Sequence, residues 1–374
     1  MEFRMMRLAC VVGARPNFMK IAPILRALRS YAAIEPTLIH TGQHYDTNLS
    51  GVFFEQLGIQ QPEVSLGVGS GSHARQTADI MVALEQVLAE RERYGRGFDR
   101  VIVVGDVNST LAASLVAAKL VIPVAHVEAG LRSMDRTMPE EINRIVTDAL
   151  ADMLFVSEPA GLENLRREGH PEANLHLVGN VMIDTLRHHV DVARRLGTLF
   201  DLGLRANEYV VVTLHRPSNV DRRENLGPLV EVLIRASRVL PVVFPVHPRT
   251  ASRLEQFELL PRLGAAAGVR LLPPQAYEDF LCLTSQAKAI ITDSGGLQEE
   301  STALGVPCLT MRANTERPIT IEVGTSTLLG GDCERLEQCL QDVIAGRYKR
   351  GRCPDLWDGR AAERIAAVLA LQSG

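Results

Sequence analysis

The six cysteines, Cys10, Cys282, Cys308, Cys333, Cys339 and Cys353, contain no C-x-x-C pair and have no histidine at metal-ligand spacing. That excludes the common zinc frameworks and a disulfide scaffold, and leaves reduced thiols in a cytoplasmic protein as the expectation. No compact cluster of histidines and carboxylates points to a metal either. The longest apolar tract, Leu111 to Val127, is interrupted by Lys119 and Pro123, so it reads as a helix followed by a buried strand and not as a membrane span. Met1 to Arg7 lacks the unbroken apolar stretch of a secretory signal behind it, because Gly13, Arg15, Pro16, Asn17 and Lys20 intervene. Positive charge is not in surplus: the net charge of -4 gives no general attraction to nucleic acid or an anionic membrane, so a phosphate must be held by local groups. No G-x-G-x-x-G fingerprint opens a helix. Gly67, Gly69 and Gly71 do not follow a convincing strand and read as a flexible loop, so no nicotinamide cofactor is indicated. Repeats, low-complexity tracts and long charge runs are also missing.

What is present is a chain of 374 residues, more than one hydrophobic core usually organises, with 46% hydrophobic and 22% charged residues. Two domains that fold throughout are expected. Short apolar runs alternate with amphipathic segments of helix length, the pattern of a parallel sheet covered on both faces. The first series is Leu8 to Val12, Thr37 to His40, Val101 to Val104, Val124 to Val127, Met153 to Val156 and Leu175 to Val178. The second is Tyr209 to Thr213, Val242 to Val246, Val269 to Leu272, Ala289 to Thr292 and Pro307 to Thr310, with a weaker run at Thr327 to Leu329. The pattern predicts two Rossmann-like, doubly wound α/β domains at residues 1–183 and 208–355, joined by a polar linker at 184–207 and followed by a terminal helix at 356–374 that can pack back on the first domain. His188 and His189 in the linker read as a solvated helix face. Ligands of such sheets sit outside the carboxyl ends of the strands, so a central cleft lined by post-strand loops is expected.

Those loops carry the chemistry. Gly13 to Asn17 ends the first strand and Lys20 follows in the next helix, so helix-start amides plus Arg15 and Lys20 form a candidate anion seat; the plain alternative is a solvated turn. Asp293, Ser294, Gly295 and Gly296 end another strand and open a helix, a second cradle in which glycines admit a diphosphate and Glu299 or Glu300 can accept from ribose hydroxyls; an ordinary capping turn is the alternative. Asp106 and Glu128 each follow an apolar strand. Glu140 and Glu141 stand beside Asn143 and Arg144 and are either acid–base groups or first-turn helix acids. His215, Arg216 and His247 follow strands of the second series, where a structural role for each imidazole is the alternative.

At this density the residues become specific. The chain resembles the non-hydrolysing UDP-N-acetylglucosamine 2-epimerases, of glycosyltransferase-B type fold. The resemblance rests on GARPNFMKIAP from Gly13, TGQHYD from Thr41, GDVNSTLA from Gly105, HVEAGLRS from His126, MPEEINR from Met138, TLHRPSNVD from Thr213, PVHPR from Pro245, TDSGGLQEE from Thr292 and TERP from Thr315. It implies UDP held by Arg15, Lys20, Phe280 (against uracil), Ser294, Gly295, Gly296, Glu300 and Arg317, with Asp106, Glu128, Glu140 and His215 as the catalytic set. It further implies cofactor-free reversible epimerisation at C2, by elimination of UDP to 2-acetamidoglucal and re-addition. A second UDP-N-acetylglucosamine as activator is implied at Gln43, His44, Arg75, Gln76, Arg216 and His247, and a homodimer is expected. Ala14, Asn17, Pro217 and Ser218 depart from the GTRPE and HRRE loops of many members; similar variants occur among relatives acting on UDP-2,3-diacetamido uronic acids. The alternatives are therefore that related epimerase, a glycosyltransferase of the same fold, or a sugar-nucleotide sensor, against which the retained acids speak.

Overall fold

The computed structural model describes residues 5–42 and 58–372, apart from the side chain of Arg15; Gln43 and His44 lie outside the described residues. Among these the chain divides into two compact units, residues 1–185 with 355–374, and residues 186–354. The division falls inside the helix Val181–Ala193. No described helix is long and apolar enough to cross a membrane.

In the first unit the strands are β1 Met6–Val12, β2 Ile34–His40, β3 Val64–Ser65, β4 Arg100–Val104, β5 Val124–Ala129, β6 Met153–Val156 and β7 Leu175–Leu177. They pair in the order β3-β2-β1-β4-β5-β6-β7, all parallel. The second unit has β8 Val210–Thr213, β9 Val242–Pro245, β10 Val269–Leu272, β11 Ala289–Thr292, β12 Cys308–Thr310 and β13 Ser326–Leu328, in the order β10-β9-β8-β11-β12-β13, again all parallel. In each sheet the strand order reverses beside the first strand. The loops after β1 and β4, and after β8 and β11, therefore diverge and leave a crevice at a topological switch point.

Strands such as β4 and β8 form where β-branched residues run together, because both faces are covered. Along β8, Val210 and Val212 pack with Phe244, Leu229, Leu233 and Leu336 on one face, while Tyr209 and Val211 pack with Val243, Leu283 and Leu297 on the other. Leu111 to Val127 is indeed a helix, Asn108–Lys119, leading into β5. β3 was not read from the sequence. Two residues on a sheet edge, Val64 and Ser65 paired with Ile39 and His40, carry too little pattern to register, and they put a strand just ahead of the Gly67 loop.

After Pro354 the chain returns to the first unit. Trp357 is 1% exposed and its Nε1 donates to Ser157 O at 3.1 Å. The Asp184 carboxylate accepts from the amides of Ala361 at 3.1 Å and Ala362 at 2.8 Å, and so caps the helix Ala361–Ala370, which lies against the helix Arg15–Leu28. In the stretch read as a solvated linker, His188 is exposed but His189 is buried and its Nδ1 lies 3.0 Å from Glu278 Oε1. Neighbouring residues on a helix point about 100° apart, so one can face water while the next faces the core.

Candidate active site

In the first unit the site grows from the ends of β1, β4 and β5. The amides expected to seat an anion after β1 are already occupied: Asn17 Oδ1 accepts from Gly13 N and Ala14 N, both at 3.1 Å, while Asn17 Nδ2 donates to Val104 O at 2.9 Å. Asn17 thereby ties the β1 loop to β4. Lys20, one turn on, is buried and ion-paired with Glu128. Gly105 lies against that pair, with φ of +68°; a Cβ there would stand 2.9 Å from Lys20 Nζ and 3.5 Å from Glu128 Oε2. Only glycine fits.

Glu128 itself has φ of +73°, in the left-handed region that costs a non-glycine residue energy, and it sits where the β5–β6 register shifts between Val127 and Ala129. The bulge re-aims its carboxylate toward Lys20. Beneath it lies a fully buried support: His126 Nδ1 to Asp148 Oδ1 at 2.6 Å, His126 Nε2 to Gly105 O at 2.8 Å, Gly130 N to Asp148 Oδ2 at 3.0 Å, and Arg132 Nη1 to Asp148 Oδ2 at 2.7 Å. Burial pushes Asp148 up, but His126 and Arg132 outweigh it and hold the carboxyl below its ordinary value.

Asp106 is partly exposed and clamped from the helix Pro139–Leu150: Arg144 Nη1 lies 2.5 Å from its Oδ2, and Asn143 Nδ2 donates to its carbonyl at 2.8 Å. Glu141 and Glu140 part company in that helix's first turn. Glu141 is buried and accepts from Ser133 N at 2.9 Å, Met134 N at 2.9 Å and Arg144 Nη2 at 2.5 Å. Burial raises its pKa, yet the Ser133 amide and the Arg144 guanidinium together hold it below the usual carboxylate range. Glu140 is exposed. Gln76 is buried as a tie between Asn108 Nδ2, at 2.8 Å, and Gly69 O, at 3.3 Å, whereas Arg75 is exposed and pairs with Asp79 at 2.7 Å.

In the second unit the matching loops follow β8 and β11. Asp293, fully buried, accepts from His215 N at 3.0 Å, Arg216 N at 2.9 Å and Asn219 Nδ2 at 2.9 Å, and its Oδ1 lies 3.0 Å from His215 Nδ1. Burial raises its pKa, but the His215, Asn219 and Arg216 hydrogen bonds leave it lowered overall. The rings of His215 and His247 lie 5.5 Å apart. His247 Nδ1 accepts from Arg249 N at 3.2 Å, and burial, then the neighbouring His215, hold its pKa below the ordinary imidazole value.

Ser294 precedes the helix Gly295–Leu304 without capping it through its side chain, so that helix start keeps its amides for a ligand. Nothing lies within 4 Å of a Cβ built on Gly296, whereas one on Gly295 would meet Glu316 Oε1 at 2.9 Å. Behind the turn stands a buried network of two arginines and two glutamates. Arg312 Nη2 and Arg317 Nη1 both reach Glu316 at 2.7 Å, and Arg317 also pairs with Glu299. Burial would raise Glu316, but the two guanidinium groups carry it far below the ordinary range. Glu300 is buried and accepts from Tyr277 OH at 3.3 Å; burial, reinforced by Glu299, pushes its pKa up to about 7. Phe280 is half-buried on the apolar cluster of Leu204, Tyr209 and Leu283. A cavity of about 290 Å³, unforeseen in the sequence, is lined by Asn219, Asn225, Met311, Arg312 and Gly330 among others.

A profile of the family described as UDP-N-acetylglucosamine 2-epimerase matches residues 26–370. The chain belongs to that family. A UDP-N-acetylglucosamine 2-epimerase of Methanocaldococcus jannaschii is 40% identical over 97% of this chain and 99% of the relative. The crystal structure of the enzyme of that name and organism, in complex with UDP-GlcNAc and UDP, superposes with a TM-score of 0.86 at 39% identity, covering 98% of this chain and 100% of that one. A UDP-2,3-diacetamido-2,3-dideoxy-D-glucuronate 2-epimerase of Pseudomonas aeruginosa is 36% identical over 98% of this chain and 99% of its own length. Within the UDP-N-acetylglucosamine 2-epimerase family frame, Lys20, Asp106 and Glu128 gather at the first unit's switch point. His215, Arg216, His247 and the Ser294–Gly296 turn gather at that of the second. Glu140 is exposed in the first turn of the helix whose Arg144 clamps Asp106. Asp293 was read in the sequence only as the start of the second cradle; its bonds to His215, Arg216 and Asn219 had no signal beyond its place between a strand and two glycines.

Proposed function

We propose that the chain interconverts UDP-N-acetylglucosamine and UDP-N-acetylmannosamine. The observation that carries the reading is the buried, strained Glu128 paired with Lys20 beside the Asp106 loop, in a chain of this family. Strain at a buried carboxylate is costly and is kept where a charge must be aimed. A base takes the proton from C2, the C2–H electrons form the C1–C2 double bond, and the C1–O bond breaks with its electron pair leaving on UDP. UDP then re-adds at C1 while an acid returns a proton to the opposite face of C2. Glu128, Asp106 and Glu140 supply the acid and base, with His215 at the departing phosphate. The Ser294 hydroxyl, the Gly295 and Gly296 amides, Glu300, Phe280, Arg15, Lys20 and Arg317 hold UDP, which as the developing anion gains most from oriented N–H groups.

A second reading, the same reaction on a UDP-2,3-diacetamido uronic acid, is supported by the Pseudomonas aeruginosa relative. Both substrates, offered separately in heavy water and followed by NMR, decide it. Deuterium at C2 of UDP-N-acetylmannosamine is expected, and Glu128→Gln should lower the exchange rate by about 10²–10⁴-fold. Transfer of the sugar with its C2 hydrogen intact would refute epimerisation. An activating second UDP-sugar at Arg75, Gln76, Arg216 and His247, and a homodimer, belong to the same proposal.

A further inference from the structure

Asp293 is acceptor-only when ionised, and a carboxylate offers about four lone-pair sites. Four donors converge on it: the amides of His215 and Arg216, Asn219 Nδ2 and the His215 ring. Because the carboxylate cannot donate, the ring nitrogen 3.0 Å away, Nδ1, must carry the hydrogen. In a neutral imidazole that leaves Nε2 with its lone pair. The His215 side chain is 39% exposed, so part of the ring reaches solvent. Next to it His247 is fixed the opposite way: its Nδ1 accepts from Arg249 N, so the hydrogen lies on Nε2.

We propose that Asp293 is a positioning residue that locks His215 as the Nδ1–H tautomer and presents Nε2 as the proton-exchanging atom. The inference rests on the reading that His215 serves the reaction. The same carboxylate fixes the His215 backbone and, through the following turn, the start of the Gly295–Leu304 helix. One buried charge thus sets both the imidazole and the neighbouring anion cradle in place. In Asp293→Asn an amide can donate to Nδ1, which favours the opposite tautomer, with the proton-exchanging atom turned inward.

The test is a long-range proton–nitrogen NMR spectrum of the ¹⁵N-histidine-labelled protein, with His215 assigned by its loss in His215→Gln, alongside steady-state kinetics. The parent should show His215 protonated at Nδ1 and Asp293→Asn should show Nε2–H. The variant's kcat should fall about 100-fold or more, with KM for the UDP-sugar within about threefold. A parent His215 protonated at Nε2, or a folded Asp293→Asn with parent kcat, overturns the proposal. Should Asp293→Asn not fold, the parent's tautomer decides alone. An active His215→Gln removes His215 from the proposed function and Asp293's purpose with it. An inactive His215→Gln combined with the wrong tautomer overturns Asp293 alone.

Discussion

Glu300 is a carboxyl group whose protonation is set near neutrality. Burial and Glu299 raise it to about 7 from an ordinary 4.5. Its contribution to stability is therefore fully present below 4.5 and lost as pH rises through about 7. Ribose hydroxyls donate more strongly to the ionised form, which has more acceptor capacity, so binding a UDP-sugar below pH 7 favours release of a proton. KM should rise by up to tenfold per pH unit below about 7, and Glu300→Gln should bind more weakly but without that slope. The difference between the two profiles isolates Glu300 from His215 and His247; parallel profiles would count against the ribose role. None of this was visible in the sequence, which placed a carboxylate one turn into a helix but not Tyr277 or the apolar surroundings against it. Lys20 and Glu128 are similar: each was singled out alone, and their pairing across the fold follows from β1 and β5 ending on the same side of one sheet.

At the scale of elements, strands buried on both faces were legible because an unbroken β-branched run has few other ways to satisfy its backbone. β3 was not, being too short for any period. The turn after β1 was legible as a loop with two cations but not in its internal bonding. Helix-start amides look available in sequence, yet Asn17 occupies two of them. In the turn after β11 the Ser294 amide donates to Thr292 Oγ1, but no side-chain cap takes those of Gly295 and Gly296, and the two glycines differ in a measurable way. Gly296→Ala has open space and a helical position, so the stability, followed by thermal unfolding, should hold or rise slightly, by about 1 kcal/mol at most. UDP affinity, by calorimetry, should nonetheless fall at least tenfold if the methyl group stands where the diphosphate approaches. Unchanged affinity would mean that the anion lies elsewhere. Gly295→Ala should cost stability as well, since Glu316 is fixed by two arginines and cannot yield.

For the molecule as a whole, the segment after Pro354 is a structural member of the first unit. Trp357 fills a fully buried position there, so Trp357→Ala should destabilise that unit by about 3–5 kcal/mol. Thermal unfolding followed with a probe in residues 5–42 should report the loss, and an unchanged midpoint would contradict the packing. The sequence located this helix but not its seat, because Asp184 and Ser157, which receive it, carry no pattern that announces a distant partner.

The first unit is thus assembled from two stretches separated by an entire second unit, which orders events during synthesis. At typical translation speeds the ribosome needs on the order of ten to thirty seconds to make residues 186–354. Throughout that interval the place that Trp357 fills is vacant, and only the late arrival of residues 355–372 closes it. A nascent chain stalled inside the second unit would carry a complete Glu128 site on a body still missing its keystone.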